Sequence, residues 1–527
     1  MQVKPAIACG TVLAGALVAL SGTAAQAATV RYEAGTSPAV CSGTIDSDHG
    51  GYSGRGFCNG DNEVGAYAQF TVNAAESGTV TLHVRFANGT TTARPADVTV
   101  NGSAIASASF ESTGSWDTWT TKTITVPVNA GGNTVRFTPT TANGLPNIDY
   151  IDVETGDGDT PPPSDEDALY VAPGGSDGAA GTEADPTTLT SAIDRIAPGG
   201  TIYMRGGTYR HAQTVTIPPG NDGTSGDRTR LTAYPGETPV LNFSAMSENS
   251  ANRGLAVNGS YWHVHGIVVE HAGDNGIFVG GSGNVIERTV TRFNRDTGLQ
   301  LSRMTSDTPE DQWPSGNLIL SAESHDNADS DGEDADGFAA KLTSGPGNVF
   351  RHSVAHNNID DGWDLYTKDE TGPIGAVTIE DSLAYENGTL SGGGQSGNGD
   401  RNGYKLGGED IPVGHVVRRS FAVDNGKHGF TYNSNPGSMT ISANVSIDNA
   451  ERNFSFDDGG SVFRDNTSCR FDGDGSNDRT VGDADGSNQF WSGSNGSRCS
   501  SYAGSLGWYL ASDGHLVVTF GGRTATP

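Results

Sequence analysis

Ala335-Asp336-Gly337-Phe338, Asp360-Asp361-Gly362-Trp363-Asp364 and Asn402-Gly403-Tyr404-Lys405 read as one polar-glycine-aromatic slot used three times. Aligned on the glycines, Asp336, Asp361 and Asn402 stand one residue before, and Ala339, Asp364 and Lys405 two residues after. The x-Gly-apolar step recurs at Thr297-Gly298-Leu299 and His428-Gly429-Phe430. Gly276, Gly298, Gly337, Gly362, Gly403 and Gly429 are spaced by 22, 39, 25, 41 and 26 residues. The shorter intervals set the repeat, and the two longer ones contain inserts at 305–316 and 390–398. A repeat of this length that tolerates loops predicts a solenoid, and its β character predicts a parallel β-helix.

In such a stack neighbouring strands lie about 4.7–4.9 Å apart, so carboxylates in equivalent slots of adjacent layers crowd one another. Like charges so close need raised pKa values or a cation. A single Asp would be an ordinary turn residue. Asp336, Asp360, Asp361 and Asp364, placed by the repeat on two adjacent layers, point instead to a hard cation such as Ca²⁺. Lys405, in the slot of Asp364 one layer on, is the candidate base. Asn294, Asn327, Asn357, Asn387, Asn425 and Asn449 recur at one place in the repeat and predict an internal amide ladder, with independent turn asparagines as the alternative.

Working outward, 168–527 is expected to be this solenoid, closed at one end by a helical stretch near 189–196 and at the other by 465–527. Residues 155–167 (TGDGDTPPPSDED) are polar, proline- and acid-rich and read as an extended linker. Before it, 28–154 shows alternating strand patterns at Ala66 to Val72, Thr79 to Phe86, Asp97 to Val100, Thr121 to Val126 and Thr134 to Phe137. Turns such as Asn88-Gly89 and Asn101-Gly102 separate them. That spacing predicts an antiparallel β-sandwich. The fold class expected is all-β, an antiparallel sandwich followed by a right-handed parallel β-helix.

Residues 1–27 read as a secretory signal, with Lys4 in the positive region and Ala25-Gln26-Ala27 at the cleavage site. The apolar run is short of the roughly 20 residues that span a bilayer. An exported chain without a membrane span is expected. Export suits disulfides within the local pairs Cys41/Cys58 and Cys469/Cys499. A net charge of −31 argues against a nucleic-acid partner. It also opposes an acidic substrate, unless bound cations reverse the field locally. A monomer is expected.

A Ca²⁺ in this site would act as a Lewis acid on a substrate carboxylate. In a galacturonic acid polymer this acidifies the C5 proton; a base removes it, the C4 oxygen leaves, and an unsaturated uronide forms without water. Lysine begins near pKa ~10.4, an adjacent Ca²⁺ lowers it, and alkaline conditions are expected to favour the reaction. Lys341, Arg401 and Tyr366 are candidate subsite residues by their proximity in sequence.

Residues 168–527 resemble family-9 polysaccharide lyases, the pectate lyases built on a right-handed parallel β-helix. The motifs that carry this are Ala335 to Lys341 (ADGFAAK), Asp360 to Asp364 (DDGWD), Asn402 to Gly408 (NGYKLGG) and the opening Leu169 to Gly178 (LYVAPGGSDG). The resemblance implies Asp336, Asp360, Asp361 and Asp364 as Ca²⁺ ligands and Lys405 as the Brønsted base. The extra length before Asn402 departs from the family pattern.

Residues 28–154 resemble a family-35 carbohydrate-binding module through Tyr32-Glu33-Ala34, Gly51 to Gly54, Phe86 to Gly89, Arg94-Pro95, Trp116-Asp117 and Asn147 to Val153. The resemblance implies Tyr52, Arg94, Trp116 and Asn147 at a uronic-acid sugar site, and Glu33 and Asp152 at a structural Ca²⁺. Gly35 stands where a second acidic residue is common. The leading expectation is a secreted Ca²⁺-dependent lyase acting on pectate or a related uronic-acid polysaccharide. A hydrolytic β-helix polygalacturonase and a non-catalytic polysaccharide-binding solenoid are the alternatives.

Overall fold

A computed structural model describes residues 29–527 apart from 37–38, 75–77, 130, 156–167, 396–397, 472, 474 and 512–513. The expected signal at 1–27 and nearly all of the expected linker lie outside the described residues.

Two antiparallel sheets form the first unit. One has the order Gly43–Asp46, Phe57–Gly60, Asn147–Thr155, Gly78–Ala87, Thr120–Val128, with Thr29–Glu33 also paired to Asn147–Thr155. The other runs Val40–Cys41, Ala68–Ala74, Gly131–Pro139, Arg94–Val100, Ser103–Phe110. Alternation drives the packing: along Arg94–Val100, Ala96, Val98 and Val100 turn inward to meet Phe70, Phe110, Phe137 and Leu82. Cys41 and Cys58 are bonded. The sequence reading named strands within Ala68–Ala74, Gly78–Ala87, Arg94–Val100, Thr120–Val128 and Gly131–Pro139, and left out the central Asn147–Thr155 together with short strands such as Thr29–Glu33 and Gly43–Asp46, whose apolar patterns are weak.

From Leu169 onward the chain coils into three long parallel sheets. Sheet I has ten strands, from Val215–Ile217 to Arg479–Thr480. Sheet II has twelve, from Leu169–Val171 to Asp483–Ala484, and sheet III has ten, from Gly207–Arg210 to Thr467–Cys469. The repeated slot lies on sheet I. Its aromatic residue points inward, and Trp363, Tyr404, Phe430 and Phe454 stack in series at centroid separations of 4.8, 4.6 and 5.1 Å. Glycine is required beside it, because a Cβ on Gly362 would lie 2.6 Å from the Gly403 carbonyl oxygen and 2.8 Å from Asn387 Nδ2. Coil-to-coil approach, more than turn conformation, sets this residue.

The amide ladder is present with one correction. It runs through Asn294, Asn327, Asn358, Asn387, Asn425 and Asn449, each Nδ2 donating to the next Oδ1 at 2.8–3.0 Å. Asn358, not Asn357, takes the third place. Asn357 has φ 51° and donates to Glu386 and Thr389. The sequence offers two adjacent asparagines there, and the left-handed turn turns the first one out.

The helix Leu189–Arg195 closes the start of the solenoid, burying Leu189, Ala192 and Ile193 in the main core. At the far end Phe490 packs on Phe454 and Phe463. The last segment differs from expectation. Its antiparallel strands Leu506–Leu510, Leu516–Phe520 and Arg523–Ala525 lie on the flank of sheet III, over Val354, Leu383, Phe421, Val445 and the bonded Cys469. An apolar outer row on sheet III needed a cover, which outweighs the need at the end. No helix among the described residues is long and apolar enough to cross a membrane.

Candidate active site

The outer face of sheet I is built from two unbroken rows. Phe278, Gln300, Ala339, Asp364, Lys405 and Thr431 pair in register along the strands. One residue before each slot glycine, Thr297, Asp336, Asp361, Asn402 and His428 form a second row tied by polar contacts. Thr297 Oγ1 donates to Asp336 Oδ2 at 3.1 Å, and the Asp361 amide donates to Asp336 Oδ1 at 3.2 Å. The Asn402 amide and Nδ2 both donate to Asp361 Oδ1, at 2.6 and 2.9 Å. The carboxylates are therefore held by backbone before anything binds them.

Asp336, Asp360 and Asp361, all buried, each present an oxygen within 4.8 Å of the others, the one such acidic group among the described residues. Asp364 faces the same space with two lysines. Lys341 Nζ lies 2.7 Å from Asp336 Oδ2 and 3.4 Å from Asp364 Oδ2. Lys405 Nζ lies 3.3 Å from Asp361 Oδ2, 3.7 Å from Asp364 Oδ2 and 3.1 Å from Asp400 Oδ2. Burial and the neighbouring charges push Asp336 and Asp360 well above the usual carboxylate range, and burial pushes Asp361 up to about 6. Burial works against the Lys405 ammonium, but Asp364, Asp361, Asp360 and Asp336 outweigh it and raise its pKa.

These residues fit a divalent cation. Four carboxylates face two ammonium groups, which leaves an excess of negative charge in a buried place. Asp364 Oδ1 is buried and accepts no hydrogen bond, and Asp361 Oδ2, also without one, has the Lys405 ammonium at 3.3 Å; buried oxygens left this way are costly. An all-carboxylate donor set suits a hard ion.

Of the residues placed here from sequence proximity, Lys341 enters the cluster itself. Tyr366 lies with its ring 5.2 Å from Lys405 Nζ and its hydroxyl donating to Glu409. Arg401 supplies its amide to Asp360 Oδ1 at 3.2 Å from a left-handed turn, φ 60°. Asp400 and Lys427 escaped the sequence reading, although Asp400 bridges Lys405 to Lys427 Nζ, 2.8 Å away. Lys427 stands two residues before Gly429, the place of Asp360 before Gly362, so the register itself held the signal. The cleft over the cluster, about 290 Å³, is lined by Lys341, Asp360, Asp364, Tyr366, Asp400 and Lys405 among others.

In the first unit, Arg94 lies over Trp116 at 5.1 Å and donates from Nη1 to the Leu145 carbonyl and Asn62 Oδ1. His49 links Trp116 to Phe57, against which Tyr52 packs edge-on. Asn147 is buried, two residues after Leu145. Glu33 accepts from Ser53, whose amide donates to Asp149, whereas Asp152 is clamped by Arg31 at 2.7 and 2.8 Å. Neither Glu33 nor Asp152 belongs to a group of three or more converging acidic residues among the described residues.

Residues 169–466 match the family model described as the Pel9A-like, right handed beta helix region. The chain belongs to this family. Pectate lyase L of Paenibacillus polymyxa is 54% identical over 324 residues, 61% of this chain and 72% of that protein. The crystal structure of pectate lyase Pel9A superposes with a TM-score of 0.55 at 31% identity, covering 66% of this chain and 86% of that one. The protein is thus a polysaccharide lyase on a right-handed β-helix. Residues 36–155 match the model of Carbohydrate binding module (family 6). A CBM35 of Cellvibrio japonicus Abf62 is 38% identical over 24% of this chain and 92% of that one, with a TM-score of 0.24. The lyase carries a carbohydrate-binding module ahead of its catalytic solenoid.

Proposed function

We propose that the protein is a secreted, calcium-dependent pectate lyase that cleaves α-1,4-linked galacturonan by β-elimination. The observation that carries this reading is the register of Lys405 beside Asp364, with Asp336, Asp360 and Asp361 converging on the same space. Asp336, Asp360, Asp361 and Asp364 would hold the Ca²⁺. When bound, the ion neutralises their charge and polarises the substrate carboxylate, which acidifies the C5 proton. Lys405, as the free amine, takes that proton at Nζ, the C5–H electron pair forms the C4–C5 double bond, and the C4–O bond breaks to release the leaving chain, whose oxygen is protonated by water. Asp400 and the Tyr366 ring fix the Lys405 side chain. Lys341, Tyr366 and Arg401 border the sugar path.

In the module, Tyr52, Arg94, Trp116 and Asn147 are assigned to uronic-acid sugar binding. An aromatic face packs a sugar ring and Arg pairs with a carboxylate. Asp152 is left to Arg31. The proposed organisation is a signal at 1–27, the module at 28–154, a linker at 155–167 and the lyase domain at 168–527.

The test is incubation with polygalacturonate, with and without chelator, read by the ultraviolet absorbance of the unsaturated uronide. Absorbance that is lost on chelation and returns with Ca²⁺ supports the reading. New reducing ends without absorbance would indicate hydrolysis, and binding without either would indicate a non-catalytic solenoid.

A further inference from the structure

The row that carries Asp336 and Asp361 continues back through Thr297 and Asn275 to Arg253, one residue before Gly254, whose amide donates to the Asn275 carbonyl at 2.9 Å. Phe278, in the outward row of Asp364 and Lys405, is fully buried beneath this arginine. The Arg253 guanidinium carbon stands 3.4 Å from the Phe278 ring centroid. The side chain is 28% exposed, so the group is clamped on one face and open on the other. Its Nε is buried without a hydrogen-bond acceptor, and Asp274 Oδ2 lies 3.6 Å off, beyond hydrogen-bond reach.

We infer that Arg253 is a remote subsite of the lyase groove, taking the carboxylate of a uronate residue several sugars from the cleaved bond. It lies three coil steps, about 14 Å, from Asp336 along the solenoid axis. A planar guanidinium held flat on an aromatic ring presents its remaining donors edge-on, the geometry that receives a carboxylate bidentately. The stack removes rotamer freedom beforehand, which lowers the cost of the contact. Asp274 is a weak competitor. Burial and Asp296 push its carboxyl up to about 7, so it is only partly charged near neutrality. The inference rests on the uronan reading above, since an anionic repeat is what gives a cation in this row something to bind.

The test uses Arg253→Ala and Arg253→Lys in the full chain. KM is measured on a short oligogalacturonate, which does not reach Arg253 from the cleavage site, and on a long one. Calorimetry gives Kd for the long oligomer in a Lys405→Ala background. For Arg253→Ala the ratio of long to short KM is expected to rise about tenfold, the scale of one charge-assisted contact, with Kd weakened alike. Arg253→Lys is expected to fall between, keeping the charge without the fork. An unchanged ratio and Kd would overturn the subsite. If the alanine variant is unfolded by thermal melting, the lysine variant decides by the same two readouts. If the wild type makes no unsaturated product, the lyase reading fails, and the calorimetric comparison alone still judges the subsite.

Discussion

Replacing His415 by asparagine is expected to remove one distinct part of the solenoid's sensitivity to acid. The residues just before the sheet II strands form a row: Asn284, Asn317, Asn348, Val377, His415. Asn284 and Asn317 donate their amides to the next asparagine's Oδ1 at 2.8 and 3.0 Å, whereas the Val377 amide donates to His415 Nδ1 at 3.1 Å. His415 is fully buried, its Nε2 has no partner, and burial pulls its pKa down to about 3. An unfolded histidine titrates near ~6.5. Between these values the unfolded chain binds a proton that the folded chain refuses. Stability is therefore intact above about pH 6.5 and lost progressively as pH falls toward 3. Each pH unit in that window costs about 1.4 kcal/mol, so near pH 4.5 the loss is on the order of 3 kcal/mol. Asparagine supplies an Oδ1 for the Val377 amide and does not titrate. Thermal unfolding followed by circular dichroism at pH 7 and pH 4.5 measures the effect. The variant's midpoint relative to wild type is expected to rise by about 5 °C on going to the acid condition. The same difference at both pH values would refute the reasoning and place the acid-labile group elsewhere.

Asp361→Ala is expected to abolish turnover at low Ca²⁺ while leaving the β-sheet circular dichroism intact, because the other coils hold the solenoid; full activity at trace Ca²⁺ would remove Asp361 from the cation site. Lys405→Ala is expected to lower formation of unsaturated product by at least ~10²-fold, the lower end of general-base contributions, with calorimetric Ca²⁺ binding retained. Near wild-type turnover there would take Lys405 out of the mechanism. Deleting 28–154 is expected to leave turnover on soluble oligomers nearly unchanged and to weaken retention on insoluble cell-wall material, since the module contributes by effective concentration. Equal retention would refute its targeting role.

The parts legible in the sequence are those fixed by coil-to-coil contact. The glycine of the slot, the inward aromatic and the asparagine ladder each recur because a parallel stack repeats its environment, so Gly362, Trp363 and Asn387 could be placed by alignment alone. The same logic put Asp336, Asp361, Asp364 and Lys405 on one face. What escaped depends on conformation within a turn or on packing between distant segments. Asn357 and Asn358 are indistinguishable until a left-handed φ selects one of them. Asp400 reaches Lys405 from just after the 390–398 insert, whose path no repeat dictates. The flank position of Leu506–Leu510 follows from an apolar row on sheet III whose exposure is invisible until the coils are assembled.

Sheet I keeps its register from Val215 to Thr480, coil after coil. Its outer face is therefore a ruler graduated in single strand spacings. Any two groups on it, such as Arg253 and Lys405, are separated by a whole number of graduations. Inserts at the coil corners lengthen the chain without moving a mark. Substrate-length preference in such an enzyme changes by discrete increments, and inserting or removing one complete coil between Gly254 and Gly337 would shift the separation of those groups by about 4.8 Å without redrawing the carboxylate cluster.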